Sequence, residues 1–562
     1  MFTLSRAHQF SKRWLSPILF AYLLGNSAQA LAEAAVAASD EYGAKTAQLI
    51  LEKGGNAVDA AVATAFTLAV TFPEAGNIGG GGFATVWFKN KAYFVDYRES
   101  APLKSSANMY LDAAGEVREG LSTQGGLAAG IPGTVKGMWE LHRRFGTLPW
   151  SKLLQPAIDY AQNGFKVSSD LAQAVKENSD ELQGKTNFAS AFGRMRAGER
   201  FKQPELARVL KRIQASGPMG FYQGLTARQL VADVQQQGGI WTLEDLRQYQ
   251  VHWRQPLVGH WHDLEIITAP PPSSGGIALL SLIGMKERLS SSFADVKLNS
   301  PEYVHLICEL EKRVFADRGE VLGDPDFYPV PVAMLLDAHY LDRRAAEVSK
   351  DKITPTNEVK SGISTHHNTT HFSIVDHEGN AVSNTYTLND EFGARTVSAH
   401  TGILLNNEMD DFSIKPGVPN IYGVIGGEAN AIAPKKRPLS SMTPTIVLKD
   451  SQVTLVIGTP GGSRIFTSVF QTMTNWNDFH LPLKEAVSAV RFHHQLLPEN
   501  LIFEEPYGSL DQPTKAILEK QGYRFENQGW NGDIQALALQ NGHWVAVSDP
   551  RGRGYAQVVD RK

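Results

Sequence analysis

The stretch NTTHFSIVDHEGNAVSNTYTLN, Asn368 to Asn389, decides the fold of this chain. From Thr370 to Asp376 the side chains alternate, with Phe372 and Ile374 on one face and His371, Ser373 and Val375 on the other. His377-Glu378-Gly379-Asn380 then reads as a turn, because Gly and Asn accept the backbone angles of a tight reversal. The run Ala381 to Leu388 alternates again, placing Val382, Tyr386 and Leu388 on one face and Ser383, Thr385, Thr387 and Asn389 on the opposite one. The stretch predicts a β-hairpin with one polar face.

A hydroxyl nucleophile needs a base beside it, and a threonine has none of its own unless the peptide bond before it is cut. Cleavage between Asn368 and Thr369 creates that base, since a free α-amino group has a pKa of about 7.7–8.0 and can take the hydroxyl proton near neutrality.

Other motifs accompany the hairpin in a fixed order. They are GGNAVDAA at 54–61, NIGGGGF at 77–83, DYRE at 96–99, LLNNEMDDFS at 404–413, KRPLSSMTPTIV at 436–447 and GTPGGSRI at 458–465. Together with TTHFSIVD they make the sequence resemble the γ-glutamyltranspeptidase family of N-terminal-nucleophile hydrolases over nearly the whole chain after its first thirty residues. The resemblance implies an α/β fold, a four-layer αββα sandwich forming one compact body from two interleaved segments. It implies a large segment, 31–368, and a small one, 369–562, that begins at the nucleophile. By itself, length would suggest three or four domains.

Outward from the hairpin, the resemblance implies a γ-glutamyl donor, which carries a free α-ammonium and a free α-carboxylate, and the site residues follow the family pattern position by position. Arg98, at the end of a predicted strand, suits bidentate carboxylate binding. Ser440 and Ser441 can add hydroxyl donors, while Asn389, Glu408 and Asp411 can accept from the ammonium. Some relatives carry glutamine where this chain has Glu408. Thr387 shares a strand face with Asn389 and can steer the Thr369 hydroxyl or amine. Thr459-Pro460-Gly461-Gly462-Ser463 follows an apolar strand, and the resemblance puts the oxyanion hole at Gly461 and Gly462. Lys415 to Gly427 is rich in Gly and Pro, and the resemblance implies a lid there, with Tyr422 closing the pocket against water. Asn368 and Thr369 mark the cleavage site. No metal and no organic cofactor is implied.

The remaining sequence narrows the class further. Arg6, Lys12 and Arg13 precede an apolar run from Trp14 to Gly25 and an Ala28-Gln29-Ala30 cleavage pattern, so residues 1–30 read as a secretory signal. That run is shorter than the roughly 20 residues a membrane anchor needs. The chain is therefore expected to be exported, to a periplasm or outside the cell, with no membrane anchor after signal removal. Lysine plus arginine number 54 against 58 aspartate plus glutamate, a net charge of −4, which gives no sign of a nucleic-acid partner. The one cysteine, Cys308, cannot form an intrachain disulfide and sits at helical spacing with buried-type neighbours.

Helices are expected from Asp40 to about Lys53 and from Asn56 to about Thr71, the latter apolar almost all round and read as a core helix. Further helical patterns run Val135–Phe145, Trp150–Asn163, Asp170–Glu177, Glu205–Ser216 and Thr226–Gln237, and a strand pair Phe83–Phe88 and Ala92–Tyr97 turns at Lys89-Asn90-Lys91. Asp351 to His367 reads as an exposed loop into Thr369. The Gly79–Gly82 run lacks the Gly-Lys-Ser/Thr of a phosphate loop, the histidine pairs lack a metal frame, and no G-x-S-x-G occurs.

The expected activity is that of a γ-glutamyltransferase and glutathione hydrolase acting on glutathione and other γ-glutamyl compounds, with water, amino acids or dipeptides as acceptors. Two alternatives stay open: an acylase of the same architecture for glutaryl-type side chains, and an exported binding protein that never matures.

Overall fold

The computed structural model describes residues 33–561, apart from 183, 357–358, 360–368, 416, 419–425 and 528–530. The hairpin forms as the sequence predicts, pairing Thr369–Val375 with Ala381–Thr387 so that Thr369 lies opposite Thr387. Both strands are buried along their whole length. The polar face does not meet solvent: Ser373 and Ser383 donate hydroxyls to Gln535 O and Ile457 O on a second sheet.

That hairpin is the middle of a seven-stranded antiparallel sheet. Its order is Tyr555–Asp560, Glu33–Ala38, Thr369–Val375, Ala381–Thr387, Gly81–Phe88, Lys91–Asp96 and His252–Arg254. A six-stranded sheet faces it in the order His543–Ser548, Gln535–Gln540, Gln452–Gly458, Thr445–Lys449, Leu264–Thr268 and Leu257–Trp261. Ala35, Ala37, Val375 and Ala381 from the first pack on Ile446, Leu448, Val456 and Leu537 from the second. Small alanines on one side and branched residues on the other let the two sheets interdigitate.

Helices cover both outer faces, giving the expected αββα sandwich. Glu41–Glu52 starts at Asp40, whose carboxylate accepts from the N–H groups of Tyr42 and Gly43. Ala57–Thr71 starts with a capping box between Asn56 and Asp59 and is buried throughout, so it is the core helix its composition predicted. It packs beneath the hairpin, where Tyr386 donates its hydroxyl to Ala65 O at 3.0 Å. Gly275–Arg288, Pro301–Val321 and Ile465–Asn477 cover the second sheet, and Cys308 is buried in that layer.

The predicted helices appear with small shifts at their ends; Ser169–Glu181 is the one clearly longer than its pattern. Lys91 begins its strand rather than ending the turn, because Lys89 and Asn90, both at positive φ, complete the reversal alone. The segment before Thr369 is helix-rich, yet it also supplies four strands to the first sheet and two to the second. Each sheet therefore mixes strands from both sides of Thr369.

Candidate active site

The predicted site residues in the described part of the chain gather at one end of the two sheets. Thr369 and Thr387 sit at the hairpin's open end, Arg98 follows the strand Lys91–Asp96, and Ser440-Ser441 precede Thr445–Lys449. Glu408–Asp411 forms a short 3-10 turn, and Gly461 and Gly462 follow the strand Gln452–Gly458. A narrow cavity of about 20 Å³ is lined by Thr369, Thr387, Asn389, Arg98, Glu408, Asp411, Ser440, Ser441 and Gly462. A larger hollow of about 290 Å³ beside Tyr249 and Arg437 carries neither the threonines nor the glycine turn.

Thr369 is almost fully buried, and its Oγ1 lies 3.3 Å from Thr387 Oγ1. Thr387 Oγ1 in turn accepts the Asn389 N–H at 2.8 Å. Asn389 holds this bend at φ 82°, a left-handed angle that asparagine tolerates, while its amide donates to Asn407 O at 3.0 Å. The turn after Gln452–Gly458 is equally specific. Gly461 and Gly462 have φ of 135° and 53°, angles costly for any residue with a Cβ.

His371 shares the face of Thr369 but is no base for it. Its ring nitrogens contact the Thr385 and Ser373 hydroxyls at 2.8 and 3.1 Å, and burial pulls its pKa down to about 3. Among the described residues, the other ionisable groups lining the cavity are Arg98, Glu408, Asp411 and Arg318. The nucleophile's surroundings thus offer a second hydroxyl and carboxylates tied to a guanidinium, and among the described residues the one neutral imidazole nearby has both ring nitrogens engaged by other hydroxyls.

Arg98 is buried, and its two terminal nitrogens meet Glu408 and Asp411, with Glu99 3.6 Å away. Its Nε–H and one terminal N–H also reach Pro438 O at 3.3 Å and Leu439 O at 3.2 Å. Burial works against the charge of Arg98, but Glu408, Asp411 and Glu99 outweigh it and raise the pKa. Burial likewise lifts Glu408 and Asp411, Arg98 offsetting only part, and lifts Glu99 to about 7. Groups that the sequence assigned to opposite ends of a zwitterion thus meet one another here.

Ser440 is pinned by its backbone, its N–H donating to Pro272 O at 2.9 Å and its carbonyl accepting the Ser274 N–H at 2.8 Å, while Ser441 O accepts the Thr443 hydroxyl at 2.8 Å. Ser440 Oγ accepts the Met442 N–H at 3.2 Å, Ser441 Oγ accepts the Arg318 Nε–H at 3.3 Å, and both residues line the cavity. Asn368, Tyr422 and the signal segment lie outside the described residues, as does most of the Gly/Pro-rich stretch Lys415–Gly427.

Four lining residues, Arg318, Met442, Ser463 and Ile465, were missed in the sequence, and one of them is charged. Arg318, on the helix Pro301–Val321, is buried and enters the same cavity. A signal existed, for Ile307, Val314 and Arg318 fall on one helical face, so a charge continues an apolar stripe.

Comparison with known proteins adds a family. The family model described as gamma-glutamyltranspeptidase matches residues 43–559. A protein of Pseudomonas aeruginosa named glutathione hydrolase proenzyme is 58% identical over 526 residues, covering 93% of this chain and 94% of that protein. An Escherichia coli protein of the same name is 42% identical over 515 residues, 89% of this chain and 87% of that one. Among solved structures, a gamma-glutamyltranspeptidase chain from Pseudomonas nitroreducens, complexed with L-DON, is 57% identical with a TM-score of 0.56, covering 57% of this chain and 96% of its own. A cephalosporin acylase from Bacillus halodurans matches 93% of this chain and 95% of its own with a TM-score of 0.81, at 25% identity.

Proposed function

The chain belongs to the γ-glutamyltranspeptidase family, and on that premise we propose that Thr369, freed by cleavage of the Asn368–Thr369 bond, is its nucleophile. The protein is an enzyme, a γ-glutamyltransferase and glutathione hydrolase. Identity of 58% and 42% to glutathione hydrolase proenzymes, against 25% to the acylase, favours this activity over glutaryl-type acylation.

The observation that carries the nucleophile assignment is the 3.3 Å contact between Thr369 Oγ1 and Thr387 Oγ1 at a pocket holding two carboxylates and two arginines. In the precursor the Thr369 hydroxyl attacks the Asn368 carbonyl carbon, its proton passes to the departing Thr369 nitrogen, and an ester forms. Water opens that ester and leaves a free α-amine on Thr369. In turnover this amine takes the hydroxyl proton as Oγ1 attacks the γ-carbonyl of the donor. The oxyanion is met by N–H groups at Gly461 and Gly462, and the proton moves to the leaving amine. Water or an acceptor amine then attacks the γ-glutamyl ester, again losing its proton to the Thr369 amine. Thr387 Oγ1 accepts from both the Asn389 N–H and the Thr369 hydroxyl, and so holds the Thr369 Oγ1 in place for attack.

Donor binding exchanges partners within the charged cluster. The incoming α-ammonium takes over acceptors on Asp411, Glu408 and Asn389, which releases Arg98 donors for the α-carboxylate beside Ser440 and Ser441. Tyr422 is assigned to closing this pocket against water. We place the mature protein outside the cytoplasm as two segments from one precursor, 31–368 and 369–562. The word proenzyme in the relatives' names supports this, as does a solved relative whose chain spans only 57% of this one.

The test is an assay of purified protein on a γ-glutamyl anilide with and without glycylglycine. Aniline release that rises with glycylglycine is expected. Turnover of a glutaryl anilide but not of the γ-glutamyl one would overturn the assignment.

A further inference from the structure

Arg318 is held in a way that Arg98 is not. Arg98 has two carboxylates on its terminal nitrogens, whereas Arg318 makes no ion pair within 4.0 Å among the described residues. Its Nε–H is shared between Ser274 Oγ at 3.1 Å and Ser441 Oγ at 3.3 Å. It is 8% exposed and borders the cavity that holds Thr369. Burial lowers its pKa to about 10, with Asp411 pulling the other way, so the side chain stays cationic at neutral pH. A buried cation whose nearest carboxylate lies beyond ion-pair distance and is already held by another guanidinium is stabilised by an anion that comes to it.

The two serines explain what the charge does. Ser274 accepts from Arg318 and donates its own hydroxyl to Ser440 O at 2.7 Å, and its N–H donates to the same oxygen. Ser441 Oγ accepts from Arg318, which leaves its proton pointing elsewhere. Arg318, Ser274, Ser440 and Ser441 are therefore one connected unit, Ser440 joined through its carbonyl, and both Ser440 and Ser441 line the cavity.

We propose that Arg318 is a positioning residue for the donor's α-carboxylate, orienting Ser441 to donate and placing a second positive charge behind the serine pair. This rests on the γ-glutamyl function given above. Arg98 is shared with Glu408 and Asp411, so a carboxylate entering the pocket meets little net positive charge without Arg318.

Steady-state kinetics test it with two donors, a γ-glutamyl anilide and the analogue whose α-carboxylate is a carboxamide. Variants are Arg318→Met and Arg318→Lys, checked first for cleavage into two fragments and for thermal unfolding. For the carboxylate donor, Arg318→Met should raise KM about ten- to a hundredfold while kcat changes little. For the carboxamide donor, weak already with the wild type, the same change should add almost nothing. Arg318→Lys, which keeps the charge but not the planar donor, should fall between the two. If Arg318→Met does not fold, Arg318→Lys alone decides, by a KM raised for the carboxylate donor only. Equal losses on both donors, or unchanged KM for both, overturn the proposal. A wild type inert on the anilide overturns the functional assignment itself, which the Arg318 variants by themselves cannot do.

Discussion

A threonine at the end of a buried strand is chemically ordinary until its neighbours are counted. Around Thr369 they are a hydroxyl, carboxylates tied to Arg98, and a histidine that burial keeps neutral and whose nitrogens are taken. The missing base is what makes a freed α-amine the natural partner. On the proposed assignment Asp411 accepts from the donor's ammonium, so Asp411→Asn should raise donor KM by about ten- to a hundredfold while leaving cleavage intact. Wild-type kinetics in that variant would move the ammonium site elsewhere. The polar residues of this site were legible because donor chemistry demands both charges, and the motif order named the positions. Arg318 was not, since Glu309, Glu311, Lys312 and Arg313 on the same helix are buried as well, and charge on that helix does not mark a surface.

The glycine turn after Gln452–Gly458 is held by its own first residue. Thr459 is buried; its Oγ1 accepts the Asp533 N–H at 2.7 Å and donates to Pro460 O at 2.8 Å. Because the Pro460–Gly461 peptide is planar, fixing that carbonyl fixes the direction of the Gly461 N–H. Thr459→Val, which keeps the shape and loses both contacts, should lower kcat about ten- to a hundredfold with donor KM nearly unchanged, and Thr459→Ser should restore most of it. A change in KM alone would assign the turn to binding instead. Among the elements, helices with capping residues were legible to within a few residues, as was the hairpin. The strand Glu33–Ala38 was not, although it lies beside Thr369–Val375. Its EAAVAA sequence has weak strand propensity, and it pairs because strands flank it on both sides and the second sheet covers it.

At the scale of the molecule, two mixed sheets between helical layers bury several ionisable groups, and these should govern stability against acid. Burial lowers the pKa of His371 and His493 to about 3 and that of His494 well below its ordinary value. The unfolded chain binds protons at these histidines below about pH 6.5 and the folded chain does not, so their contribution to stability falls as pH falls from there towards 3. Each histidine contributes a slope of about 1.4 kcal/mol per pH unit over that window. Buried carboxyl groups such as Asp533, raised to about 8 by burial and then by Asp549, act in the opposite direction. Their contribution is fullest below the ordinary carboxylate pKa and is lost as pH rises through 8. His371→Gln should therefore flatten the acid limb of denaturant-measured stability by about 1.4 kcal/mol per pH unit. An unchanged slope would show that His371 is protonated in the folded state.

The layered architecture was legible only through the motif order, because alternation in one hairpin does not say what covers its polar face. The second sheet is built from strands on both sides of Thr369, and no local pattern announces pairing over hundreds of residues. On the proposed cleavage, that interleaving is what would hold the two segments together. The intact mass of wild-type protein and of Thr369→Ala, with the N-terminal sequence of each fragment, tests the self-made nucleophile most directly. The expected result is a wild type in two pieces, the smaller running from Thr369 to Lys562, and a Thr369→Ala chain that stays whole and inactive. An active wild type that remains uncut, or a Thr369→Ala chain cut at the same bond, would contradict it.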